Sequence, residues 1–116
     1  NTFEAFREKV QLLFNQLSVA DQTKLTNKLL EEQVIQKIQH LDNHPIPQDN
    51  FLNLVDGMFH SIAQNLNQPT SLEIKYAQIS LLGLKYLSSK HYGSPAIQSK
   101  LDQLDTLIET SLIGMV

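Results

Sequence analysis

Apolar residues recur along this chain at intervals of three and four, and no stretch keeps the alternation a strand would need. Phe3, Phe6, Val10, Leu13, Phe14 and Leu17 make the first stripe, with Arg7, Glu8 and Gln11 off it, which predicts an amphipathic helix. Ser18 follows in the position of an N-cap, with Asp21 three residues on as the acid of a capping box. The second predicted helix carries Leu25, Leu29, Leu30, Val34, Ile38 and Leu41, but its stripe drifts across Glu31, Glu32 and Gln33, where a bend or break is expected. Pro45 disfavours helical geometry at His44, so this segment ends soon after Leu41.

A third helix, capped by Asp49 or Asn50, is predicted through Phe51, Leu54, Val55, Met58, Phe59, Ile62 and Leu66, and ends in "NLNQP". Asp56 is the lone formal charge along these positions, which predicts a helix with little free surface. Thr70 and Glu73 form the next capping box. The helix that follows has two apolar stripes, Leu72, Tyr76, Ile79, Gly83 and Tyr86 on one side and Ile74, Ala77, Leu81 and Leu84 on the other, so a central position is expected. Gly83 costs about 1 kcal/mol of helix propensity relative to alanine, which points to close approach of another backbone. Gly93 is expected as a left-handed cap, Ser94 as the next N-cap and Pro95 as the first helical position. The last helix presents Ile97, Leu101, Leu104, Ile108 and Leu112, with Asp102, Asp105 and Glu109 on its outer face. The pattern as a whole predicts an all-α fold, a compact antiparallel bundle of four to five helices.

Composition narrows the function more than it identifies it. The 116 residues suffice for one domain with its own core. Asn1 is no initiator methionine, no signal-peptide pattern follows it, and the chain closes on an apolar "SLIGMV". Residues 1–116 are therefore expected to be a single helical domain cut from a longer protein. With no cysteine, thiol chemistry and cysteine-based metal sites are excluded, and a reducing, cytoplasmic setting is suited. A net charge of -3 with scattered lysines argues against nucleic acid as a partner. No apolar run approaches the roughly 20 residues of a membrane span, so a soluble protein is expected.

Few residues suggest chemistry. "HLDNHPIP" offers His40, Asp42 and His44, but the proline after His44 breaks the helical spacing a histidine pair needs to chelate, and no further ligand is nominated. The stretch reads as a helix end. Asp56 and His60, four apart, can share a hydrogen bond, yet Ser61 points about 100 degrees away from His60 and no oxyanion arrangement accompanies them. The four glycines never cluster into a phosphate-binding loop. No catalytic, cofactor-binding or metal-ligating residue is assigned, no cofactor is expected, and the chain reads as non-catalytic rather than as an enzyme.

The stripe of Ile74, Ala77, Leu81 and Leu84 is either buried between neighbouring helices or a surface that receives a partner helix, and these four are the candidate partner-binding residues. The function expected is a helical protein-interaction or accessory domain, binding another protein or another domain of the same chain. The alternative is a membrane-surface or phospholipid-headgroup module, for which Lys85, Lys90 and His91 beside Tyr92 supply the basic rim. A cysteine-free helical chain rich in Gln and Asn resembles the accessory domains of secreted effector proteins of intracellular bacteria. That resemblance implies a host protein or membrane as partner and delivery into a host cell.

Overall fold

A computed structural model describes residues 2–66 and 70–114, and they form six helices in the order α1 Phe3–Phe14, α2 Val19–Glu31, α3 Val34–Asn43, α4 Gln48–Asn65, α5 Ser71–His91 and α6 Pro95–Gly114. Residues 67–69 of the expected "NLNQP" terminator and the last two of "SLIGMV" lie outside the described residues. Among those described the fold is all-helical, and no helix is long and apolar enough to cross a membrane.

The helix count exceeds the four to five expected because the drift across Glu31, Glu32 and Gln33 is a true break. Glu32 ends α2, and Gln33 adopts left-handed geometry with φ 56° and ψ 37°. That reversal lets Val34 and Ile38 turn inward as buried residues of α3, independently of Leu25 and Leu29 in α2. Leu30 fell out of the buried set and stands 57 % exposed.

Local chemistry sets most of the other boundaries. Thr2, Ser18 and Thr70 each accept a hydrogen bond from the backbone N–H three residues ahead, at 3.1, 3.2 and 3.3 Å. Ser94 does the same for Ile97 at 3.4 Å, with Pro95 at the first helical position. Two expected caps differ. Helix α4 starts at Gln48 behind Pro47, without a side-chain cap, so Asp49 sits in its first turn, where a carboxylate meets the positive end of the helix dipole. Gly93 has no positive φ, because Tyr92 ends α5 in extended geometry and needs no left-handed residue after it.

Helix α5 is the central element: each of the other five packs against it. Its two stripes face different neighbours, which is why Ile74, Ala77, Ile79, Leu81, Leu84 and Leu87 are all buried. Gly83 admits the side chain of Ile38 from α3 and the ring edge of Phe6 from α1, so the close approach is by side chains and not by a backbone. Phe6 stacks on Tyr86 with ring centroids 5.9 Å apart, and Phe51 of α4 on Tyr92 at 4.3 Å. The pairing of Ile38 with Gly83, and of Asp42 with Tyr86, Lys90 and His91, makes α3 run parallel to α5, a departure from a purely antiparallel bundle.

Candidate functional site

Helices α3 and α4 both pack on α5 but scarcely on each other, and the space between them is a groove of about 650 Å³. Its floor is Tyr76, Ser80, Leu84 and Leu87 of α5. One lip is α3, with Val34, Lys37, His40 and Leu41, and the other is α4, with Leu54, Met58, Ser61 and Ile62. Ile46 of the connecting loop lines it as well, held by a hydrogen bond from the Tyr92 hydroxyl to its carbonyl at 2.6 Å. A volume of this order, mostly apolar with a few polar groups, is what binding clefts offer.

Three properties of the groove bear on what it can hold. Leu41, Leu54 and Met58 are half-buried, apolar surface not yet withdrawn from water. The lips differ in charge: α3 contributes Lys37, while the α4 lip carries no charge. Lys37 has no ion-pair partner among the described residues. At the floor, Ser80 is fully buried and its hydroxyl finds no hydrogen-bond partner among the described residues. At the end marked by Glu32, the Lys28 ammonium sits 4.7 Å from the centre of the Tyr76 ring. Burial, and then the charge of Glu32, pushes the Tyr76 phenol above its usual range.

Of the four residues nominated for partner binding, Ile74, Ala77, Leu81 and Leu84 are exposed by 1, 1, 6 and 2 %, so each lies in the core. Leu84 alone also lines the groove floor. The lips themselves escaped the sequence reading. The charge-poor run of α4 was expected to have little free surface, yet Asn53, Gly57, His60, Ser61 and Gln64 are exposed. A neutral polar face, with half-buried Leu54 and Met58 beside it, was the signal available.

In the "HLDNHPIP" segment the histidines and the aspartate face different ways. His40 and His44 are exposed and stack on each other at 4.7 Å, whereas the Asp42 carboxylate turns inward to α5. It accepts hydrogen bonds from the Tyr86 hydroxyl and the Lys90 ammonium, and His91 Nε2 lies 2.8 Å from its Oδ1. Burial works to raise the Asp42 pKa, but the bonds from Tyr86, His91 and Lys90 and the charge of Lys90 outweigh it and hold the carboxyl below the usual value. Among the described residues no three His, Cys, Asp or Glu side chains come together as metal ligands. The network ties the C-terminal ends of α3 and α5 together.

The remaining candidates are surface pairs. His60 and Asp56 approach to only 3.8 Å with most of the imidazole exposed, and Asp56 also meets Lys100 at 3.1 Å. Asp105 pairs with Lys85 at 3.0 Å, and Asp102 accepts a bond from Gln98. Glu109 is exposed and without an ion pair among the described residues. Comparison of the chain with protein families, curated proteins and solved structures found no match.

Proposed function

We propose that this domain is a non-catalytic protein-interaction module that seats an amphipathic helix of its partner in the α3–α4 groove. The observation that carries this is the groove itself, apolar and open between α3 and α4 over a floor formed by the central helix α5. The apolar face of a docked helix would cover Leu41, Leu54 and Met58, and its polar margins would meet Lys37 on one lip and Ser61 on the other. Anchoring by the centre and steering by the charged lip is the usual division of labour in such interfaces.

The lipid-headgroup alternative has less support. Lys85, Lys90 and His91, its basic rim, are engaged by Asp105 and Asp42, and Tyr92 is buried with its hydroxyl bonded inside the protein.

The test is a quantitative pull-down with the purified domain and with Leu54→Glu, Met58→Glu as a paired variant, each checked by circular dichroism. A partner held by the parent and lost by the folded variant supports the reading. Equal retention by both places the binding surface elsewhere and defeats it.

A further inference from the structure

The molecule carries a second unexplained apolar feature besides the groove, and the two match. The last turn of α6 stands clear of the core: Ile108 is 2 % exposed, but Leu112 is 45 % and Ile113 73 % exposed. Glu109 precedes them by three and four residues, so acid and apolar pair share one helix face. No basic residue stands in that last turn to offset the negative end of the helix dipole. A surface that would receive this helix end needs an apolar trough with a cationic lip.

The α3–α4 groove has that character. Its apolar walls can take Leu112 and Ile113, and the unpaired Lys37 on one lip offers positive charge to Glu109 and to the terminal carbonyls of α6, away from the end of the groove marked by Glu32. The larger space between α1 and α2, which contains the exposed Val19 and Leu30, is edged by Glu4 and Glu8, and its one cation, Arg7, is already 4.0 Å from Glu4. The α3–α4 groove is therefore the depression with a cation left free to meet Glu109.

We infer that the occupant of the groove is a second copy of this chain, which inserts the C-terminal turn of its α6 so that Leu112 and Ile113 fill the space over Leu54, Met58 and Leu84 and Glu109 pairs with Lys37. Each copy presents both halves of the contact, so it can be reciprocated. This rests on the reading of the groove as a helix-binding site and names what binds there.

Sedimentation equilibrium on the purified domain over a wide concentration range tests it. Concentration-dependent self-association is expected, weakened more than about tenfold by Leu112→Ser, Ile113→Ser, two positions whose exposure makes loss of the fold no concern. Glu109→Lys or Lys37→Glu alone should weaken it roughly two- to fivefold, and the double reversal should restore it. Met58→Glu should abolish it from the groove side, with Ser61→Arg, at an exposed lip position, as the second probe should Met58→Glu lose the fold. A monomer at every concentration overturns the inference, and so does association that survives either the α6 or the groove substitutions. Partner capture that depends on Leu54 and Met58 in a protein that stays monomeric would leave the groove reading standing while this one falls.

Discussion

His91 and Asp42 lie forty-nine positions apart in the chain, and their side chains meet at 2.8 Å. The contact joins the last turn of α5 to the last turn of α3, and Tyr86 and Lys90 reach the same carboxylate. Because the Asp42 side chain is only 8 % exposed, its charge is stable there only while these donors hold it.

Acid sensitivity should follow. The folded-state pKa of Asp42 lies below the ordinary 3.8, so its contribution is complete above that value and is lost as pH falls through the lower, folded one. Asp42→Asn should cost about 1–3 kcal/mol near neutrality. That deficit should shrink below pH 3.8, where the parent gives up the same stabilisation. Urea titrations of parent and variant from neutral pH downward measure it, and a deficit independent of pH would contradict the assignment.

At the alkaline end the sign reverses. Burial and then the Asp42 carboxylate, opposed by Lys90, raise the Tyr86 phenol above 10.0. Its contribution is present below that value and is lost as pH rises through the higher, folded pKa. Tyr86→Phe should remove this alkaline loss, leave the stack on Phe6 intact, and cost about 1 kcal/mol at neutral pH for the missing hydroxyl bond. Ultraviolet absorbance of ionising tyrosine, followed together with helicity, separates titration from unfolding.

Gly83 and Ile38 make a second long-range pair with a definite energetic signature. A Cβ at position 83 would collide with the Ile38 side chain, with Cγ1 at 2.9 Å, while the Phe6 ring at 3.6 Å could accommodate it. Gly83→Ala gains about 1 kcal/mol of helix propensity but overpacks by roughly 1–3 kcal/mol, a net loss of up to about 2 kcal/mol. Shortening the neighbour relieves the overlap, so Ile38→Val, destabilising by itself, should be less costly in the Gly83→Ala background. Thermal melts of the four proteins give the coupling directly, and additive effects would mean that the two side chains do not share this space.

How much of this was visible in the chain depends on the range of the interaction concerned. Ser18, Thr70 and Ser94 act on residues three ahead, so their caps could be read. The two-sided apolar pattern of the segment from Leu72 to Leu87 implied a central helix, and α5 is one. Gln33 is different: the interrupted stripe announced a break, but glutamine has no preference for left-handed geometry that would mark the pivot. Gly93 has that preference and does not use it. The Asp42 network and the groove were hidden for a further reason. Both depend on α3 lying parallel to α5 and apart from α4, which follows from where the pivot at Gln33 sends the chain and not from any local pattern.

The pivot is itself testable. A non-glycine residue held at φ 56° stores roughly 1–2 kcal/mol, while glycine gives back about 0.5–1 kcal/mol through its freer unfolded chain. Gln33→Gly should therefore stabilise the fold by about 0.5–1 kcal/mol, and Gln33→Val, branched at Cβ, should destabilise it. Calorimetric melting temperatures decide this, and a fall for Gln33→Gly would mean that the Gln33 side chain contributes more than its backbone costs.

Two buried serines of α5 give the sharpest contrast between a hydroxyl with a structural role and one without. Ser88 is 5 % exposed and donates to the Tyr92 carbonyl at 3.4 Å, where α5 ends, while Ser80 is 0 % exposed at the groove floor with its hydroxyl unpaired. A buried hydroxyl without a partner is a net cost to the free protein, so Ser80→Ala should stabilise it by about 0.5–1.5 kcal/mol, including the better helix propensity of alanine. Ser88→Ala gains the same propensity but loses a hydrogen bond of about 1 kcal/mol, and should be neutral or slightly destabilising. Denaturant midpoints of the two variants separate these cases.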